Sequence, residues 1–141
     1  MAVRESVPGK LTCTVQGGDA VGEASQLARA FGEAEWLSDD ELARLCIIVE
    51  ELVANLYDHA GLGEVQEVEL SLESEPGGIR IVIIDPAAPF DPRSAPPSSR
   101  QKERVGGAGI DIVRAWAKFV TYSTSAQHNR LELLLPIGSR G

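Results

Sequence analysis

The sequence is poor in aromatic and sulfur-containing side chains. Aromatic residues make up 5% of its 141 residues, although hydrophobic residues as a whole make up 43%. Such a composition indicates an aliphatic interior, and the length suits one domain with a single core. The two cysteines, Cys13 and Cys46, lie in no CxxC pattern and near no histidine-rich spacing. We therefore expect them to be buried free thiols.

Positive charge is also scarce, since 13 Lys and Arg face 21 Asp and Glu and leave a net charge of −8. A nucleic-acid partner needs a basic surface that displaces counterions from phosphates, so the charge argues against direct nucleic-acid binding and favours a cationic protein partner. The first ten residues lack the apolar core of a signal peptide, and no run of about 18 apolar residues could cross a bilayer. We expect a cytoplasmic protein without membrane contact.

Hydrophobic periodicity predicts both helices and strands. Alternation predicts strands over Leu11–Gly17 and 65–74. A turn joins the second of these to a further strand over 79–85, and a closing hairpin is expected over 119–125 and 130–137. The strand over 79–85 is almost wholly apolar, which is typical of a central strand. Helical spacing appears over 18–34 and again over 110–119.

A further helix is predicted from Ser38 to about His59, ending at Gly61. "SDDE" is a capping box in which Ser38 and Glu41 satisfy each other's backbone amides. The apolar stripe of this helix consists of Leu42, Leu45, Val49, Leu52 and Leu56. Beside it, Glu51, Asn55 and His59 recur at intervals of four and therefore form one polar row. This row is either a solvated helix face or part of a site, with His59 better explained as a helix-end residue than as a catalyst.

A long Pro-, Ser- and Gly-rich loop over residues 85–109 ends in a glycine-containing motif. Four cations and two carboxylates between Asp91 and Val105 give this segment a net charge of +2, so the rest of the chain carries −10. The sequence "VGGAGIDIV" then places three glycines at the predicted mouth of a helix. Free backbone N–H groups there favour an anion, and missing Cβ atoms allow close approach, so the motif predicts a phosphate site. The sequence has neither a P-loop motif nor the order of a dinucleotide-binding βαβ unit.

Four segments in this order resemble one family. "EELVANLYDHA", "IIDPAAPFDP", "VGGAGIDIVRAWAKFVTYS" and "NRLELLLP" resemble the GHKL-type ATPases, and most closely the small anti-sigma-factor serine kinases of bacterial partner-switching systems. The resemblance covers roughly residues 10 to 137. It implies an α+β fold of the Bergerat type: a two-layer sandwich in which helices cover one face of a mixed, mainly antiparallel sheet. It also implies a single domain over 1–141, with an ATP lid over about 91–105.

The resemblance implies ATP and Mg²⁺ as cofactors and assigns roles to individual residues. Asn55 becomes the Mg²⁺ ligand, Glu51 the base that polarises an attacking hydroxyl, and Asp85 the residue that accepts a hydrogen bond from adenine. The other implied nucleotide-binding residues are Ala87, Phe90, Arg104, Gly106, Gly107, Ala108, Gly109 and Ile110. Ala87 departs from the family pattern, which has glycine there, and so places a Cβ where the backbone passes close to the base.

Two function classes follow. The first is an anti-sigma factor that is also an ATP-dependent serine/threonine kinase, which phosphorylates an antagonist protein with a STAS domain and holds a sigma factor or another regulator inactive. The second is a module that only binds and sequesters a partner. A histidine kinase is disfavoured because His59 and His128 do not lie on an upstream dimerisation helix. The resemblance also admits a homodimer, because relatives often dimerise.

Overall fold

Six strands and three α-helices make up the part of the chain that the computed structural model describes, residues 2–89 and 105–138. The side chains of His59 and of residues 105–108 lie outside that description. The strands are β1 (Ala2–Val7), β2 (Lys10–Gln16), β3 (Glu67–Glu75), β4 (Gly78–Asp85), β5 (Lys118–Thr124) and β6 (Asn129–Pro136). The helices are α1 (Ala20–Ala34), α2 (Asp39–His59) and α3 (Val105–Trp116).

The strands form one sheet in the order β1-β2-β3-β4-β6-β5. This sheet and its helices confirm the predicted α+β fold class. All pairs among the described strands are antiparallel, so the sheet is not mixed in its hydrogen bonding. The reason is topological: β4 and β5 run in the same direction across α3, but β6 returns between them and pairs with both.

The second helix begins and ends where the sequence predicts. The Glu41 amide donates to Ser38 Oγ at 3.2 Å, and the Ser38 amide donates to Glu41 Oε1 at 2.9 Å. These reciprocal bonds satisfy two of the amides that a helix start leaves without partners. At the other end, Gly61 adopts φ +77°, a left-handed conformation that ends the helix at little cost for glycine.

The core lies between the sheet and the helices. Every second residue of β3 and β4 is buried on this side, as the predicted alternation requires, and α1 and α2 cover them. The largest fully buried side chains include Leu45, Ile48, Leu70, Leu72, Ile79, Ile81, Ile83 and Leu133. Cys13 and Cys46 are buried free thiols, as predicted, and burial raises the pKa of the Cys13 thiol to about 11.

The structure differs from the sequence prediction at two elements, β1 and α3. β1 was not predicted, α3 begins at Val105 rather than Ile110, and α3 ends at Trp116 before the edge strand β5. The glycines of "VGGAG" therefore lie within the first turns of α3 instead of preceding it. Most of the predicted lid, residues 91–104, lies outside the described residues. Within the described part of the chain, none of the helices combines the length and apolarity needed to cross a bilayer.

Candidate functional site

A small cavity of about 20 Å³ lies between α2 and the ends of three strands. It is lined by Leu52, Asn55, Leu56, Ile83, Asp85, Tyr122 and Leu131. Small-molecule sites are usually of this kind, with mainly apolar walls and a few polar groups that fix orientation. The fold thus brings together Asn55 and Asp85, two predicted site residues that lie on different elements.

Asp85 ends β4 with its carboxylate held in a fixed orientation. The side chain is 5% exposed, and its Oδ1 accepts hydrogen bonds from the Ala87 amide at 2.8 Å and from Asn129 Nδ2 at 3.1 Å. No described residue donates a hydrogen bond to Oδ2. A carboxylate oxygen can only accept, so Oδ2 is available to a ligand that presents an N–H donor.

Asn129 is a site residue that the sequence reasoning missed. It is 3% exposed, and its Nδ2 also donates to the Ala87 carbonyl oxygen at 2.8 Å, so one amide joins the ends of β4 and β6. A signal was present in the sequence, because Asn129 shares the period of two with the buried residues Leu131, Leu133 and Leu135. A polar residue on the core face of a strand needs a hydrogen-bonding partner, and Asp85 and Ala87 provide it.

Asn55 contributes the second polar group of the pocket. It is 9% exposed and lies about one turn before the end of α2. Its side-chain oxygen is a hard ligand of the type that Mg²⁺ prefers. Among the described residues no group of three or more His, Cys, Asp or Glu side chains could hold a metal ion. A single protein oxygen, that of Asn55, fits a Mg²⁺ ion that takes most of its ligands from phosphates and water.

Glu51 lies one turn before Asn55 and contacts α3 rather than the pocket. It is half-buried, and burial raises the pKa of its carboxyl above the ordinary value, with a further increase from the carboxylates of Glu50 and Asp58. Its carboxylate lies against Gly109, where an added Cβ would overlap it. Glu50 instead accepts a hydrogen bond from Ser25 Oγ at 2.5 Å and is thereby held against α1.

The start of α3 supplies backbone donors beside Glu51. The first four amides of a helix have no acceptor within the helix, and here they belong to residues 105–108. The same end carries the positive end of the helix dipole and favours an anion. Gly106, Gly107 and Ala108 thus remain suited to phosphate through their backbone, although they are helical, while Gly109 and Ile110 are buried behind them.

The remaining predicted residues divide into two groups. Ala87 is half-buried two residues after Asp85 and does not line the pocket, and both its backbone groups are bonded as described above. Its φ is not positive, so this backbone position does not require glycine for conformational reasons. Phe90 and Arg104 lie outside the described residues.

The chain matches the family described as "Histidine kinase-like ATPase domain" over residues 18–135. Among solved structures, a chain of the SiaB–SiaC complex from Pseudomonas aeruginosa aligns with a TM-score of 0.57 and 14% identity over 90% of this chain and 89% of that one. The histidine kinase domain from the Erythrobacter litoralis EL346 blue-light activated histidine kinase aligns with a TM-score of 0.50 and 12% identity over 94% and 70%. At these identities the likeness concerns the fold. Sequence comparison with curated proteins found no significant match.

Proposed function

Because this chain belongs to the histidine kinase-like ATPase domain family, we propose that it binds Mg²⁺–ATP and transfers the γ-phosphate to a serine or threonine hydroxyl of a partner protein. Members of this family are ATPases, and the resemblance of the four sequence segments to GHKL-type ATPases points to the same activity. Beyond family membership, the phosphoacceptor, the partner and the roles of individual residues are proposed here.

The observation that carries the proposal is the position of Asn55 and Asp85 in one largely apolar pocket, with Asn55 one helical turn from Glu51, whose carboxylate contacts Gly109 of α3. Asp85 Oδ2 would accept a hydrogen bond from the exocyclic amine of adenine, and the leucine side chains would cover the base. Asn55 would supply an oxygen ligand to Mg²⁺, which neutralises phosphate charge when bound. The amides of residues 105–108 would donate to phosphate oxygens.

Glu51 would act as the general base of the transfer. It accepts the proton of the partner's hydroxyl while that oxygen forms its bond to the γ-phosphorus, and the bond from the γ-phosphorus to the bridging oxygen breaks to release ADP. A raised pKa suits this role, because a base whose pKa lies closer to the working pH accepts a proton more readily.

The proposed partner is an anti-sigma factor antagonist of the STAS type, and the protein held inactive is a sigma factor or another regulator. The SiaB–SiaC structure is that of a complex between two proteins, which supports a protein partner here as well. The net charge of −8 also favours a cationic protein over nucleic acid.

One observation favours a second function, a module that sequesters its partner without phosphorylating it. The Glu51 carboxylate packs against Gly109, so α3 must shift before a hydroxyl can reach it. If that shift does not occur, nucleotide would control partner binding alone.

Phosphotransfer distinguishes the two functions. The partner is first isolated from native cells with and without ATP, and transfer of labelled γ-phosphate to its serines and threonines is then measured. Glu51→Gln keeps the shape of the side chain but removes the base, so we expect transfer to fall by about 10²- to 10⁴-fold while nucleotide still binds. Asn55→Ala should lose both Mg²⁺-dependent binding and transfer.

Glu50→Gln is the matched control, because it removes the neighbouring carboxylate, which bonds Ser25 on α1. It should retain transfer. A wild-type protein that binds ATP but labels no partner would favour the sequestering module. Unchanged transfer in Glu51→Gln would contradict the role of Glu51.

A further inference from the structure

Trp36, in the connection between α1 and α2, has an unusual backbone and an unusual exposure. It is 80% exposed and has φ +61°, and no other described residue except glycine has a positive φ. A side chain with a Cβ is disfavoured in this left-handed region by about 1–2 kcal/mol. The other tryptophan, Trp116, is half-buried against the core.

The hydrogen bonds around Trp36 show that it occupies a position suited to glycine. Its amide donates to the Glu33 carbonyl oxygen at 3.1 Å, and the Leu37 amide donates to the Gly32 carbonyl oxygen at 3.0 Å. This pair of bonds is the Schellman motif, which ends a helix with one left-handed residue, usually glycine. Leu37 makes the accompanying apolar contact with the helix, since its Cδ1 lies 3.1 Å from where a Gly32 Cβ would be.

Trp36 therefore adds nothing to the helix end that glycine would not provide with less strain. Its indole also exposes a large apolar surface to water instead of packing inside. Strained backbone conformations cluster at functional sites, and Trp is among the most frequent energetic anchors of binding surfaces. We propose that Trp36 is the anchor of a docking surface for a positively charged segment of a partner protein.

The sign of the partner's charge is inferred from the sequence on both sides of Trp36. Residues 30–43 contain five carboxylates, and the nearest cations in the sequence are Arg29 and Arg44, just outside this segment. The Glu35 carboxylate accepts a hydrogen bond from the Gly9 amide, and the Glu41 carboxylate accepts from the amides of Ser38 and Gly138. The exposed carboxylates that remain are those of Glu33, Asp39 and Asp40.

Asp39 and Asp40 also stabilise the first turn of α2 through the helix dipole, so their presence alone does not indicate a binding surface. Trp36 indicates where the surface lies, and the carboxylates beside it in the sequence determine that a bound segment should be positively charged. A guanidinium group is the natural ligand for an indole with carboxylates beside it. The chain itself forms such a pair, since the Arg44 guanidinium lies 5.4 Å from the centroid of the Trp116 ring.

The docking surface is separate from the nucleotide pocket. Asp39 and Asn55 are 16 residues apart on α2, a separation of about 24 Å along the helix axis. Variants at Trp36 should therefore leave Mg²⁺–ATP affinity unchanged. Failure of the docking proposal and failure of the proposed kinase function can thus be told apart.

Thermal stability tests the premise that the Trp36 indole has no structural role at the end of α1. Trp36→Gly should raise the Tm by about 2–4 °C, because it relieves the left-handed strain and removes no internal contact. Trp36→Ala keeps the strain while removing the ring, so its Tm should stay below that of Trp36→Gly. Val65, 83% exposed in the turn before β3, provides the matched control, and Val65→Ala should leave the Tm unchanged. A lower Tm for Trp36→Gly would show that the indole has a structural role and would overturn the proposal.

Binding is tested with a blocked peptide of three arginines separated by glycines, and with its citrulline counterpart, which has nearly the same shape but no charge. The indole N–H signals of Trp36 and Trp116 are followed by NMR during titration. We expect the Trp36 signal to shift saturably with the arginine peptide alone, with Trp116 as an internal reference. The triple substitution Glu33→Gln, Asp39→Asn and Asp40→Asn should weaken this response several-fold.

Three results would overturn the inference: no shift at Trp36, an equal shift with citrulline, or an unchanged response in the triple variant. A Trp36 signal that depends on protein concentration without peptide would instead identify a second copy of this chain as the occupant. That result would also contradict the proposal.

Discussion

At the scale of single residues, the pocket depends on a hydrogen-bonded set that joins two strands. The family resemblance assigned Asp85, at the end of an apolar strand, and Asn55, in the polar row of a helix, to the predicted site. Asn129 could not be identified in the same way, because its role depends on the pairing of β4 with β6, which places it opposite Asp85 in the register. The antiparallel neighbour of Asp85 is a property of the sheet and not of any local motif.

The raised pKa of Glu51 gives a prediction about stability and pH. Its folded-state pKa lies above the unfolded value because burial disfavours the ionised form. The ionised carboxylate therefore reduces stability at neutral pH, and this penalty disappears as the pH falls through the folded-state pKa towards the ordinary carboxyl value. Glu51→Gln should have a higher Tm than wild type at neutral pH, with a difference that vanishes by about pH 4.

Thermal unfolding followed across this pH range measures the effect. Glu64→Gln, which neutralises an exposed loop carboxylate, is the control and should show no comparable difference. Equal Tm values for wild type and Glu51→Gln at neutral pH would mean that Glu51 is solvated rather than packed against α3.

At the scale of elements, α2 and α3 approach closely at one point. Gly109 on α3 faces the Glu51 carboxylate, and an added Cβ would overlap it. Gly109→Ala should displace the flexible Glu51 side chain and destabilise the protein by about 1 kcal/mol, the low end of overpacking, despite the better helix propensity of alanine. It should also reduce phosphotransfer, because the displaced Glu51 is the proposed base.

Denaturant unfolding with a second glycine as reference measures this effect. Gly22 on α1 has no atom within 4 Å of an added Cβ, so Gly22→Ala should stabilise by about 0.5–1 kcal/mol. Replacing Glu51 by alanine in the Gly109→Ala background should recover much of the lost stability, because the two side chains share one space. If Gly109→Ala is as stable as Gly22→Ala, the two helices are not packed as described.

The sequence predicted elements well where local signals agreed. Both ends of α2 followed from Ser38, Glu41 and Gly61, and β3 and β4 followed from alternation and apolarity. β1 was missed because all six of its residues are exposed, so no buried period marks it. The start of α3 was missed because Gly106, Gly107 and Gly109 have low helix propensity, which the adjoining apolar turns overcome.

At the scale of the whole molecule, the strand order puts the pocket at one end of the sheet. β4 lies inside the sheet between β3 and β6, so Asp85 at its end is reached from α2 and from β6 together. The opposite face of the sheet carries ion pairs beside apolar side chains such as Val82 and Leu134. Arg80 contacts both Glu75 and Glu132, and Arg130 contacts Glu132 at 2.9 Å. This pattern is typical of an antiparallel sheet with one face in water.

The central claim is that the Asn55–Asp85 pocket holds an adenine nucleotide. Calorimetric titration of the wild-type protein and of Asp85→Ala with Mg²⁺–ATP and with Mg²⁺–GTP tests it most directly. Asp85 can accept a hydrogen bond from the amine of adenine but would face the carbonyl oxygen of guanine, so wild type should prefer ATP. Asp85→Ala should lose that preference together with most of its ATP affinity. Equal affinity of wild type for ATP and GTP, or an Asp85→Ala protein that binds ATP as wild type does, would contradict the claim.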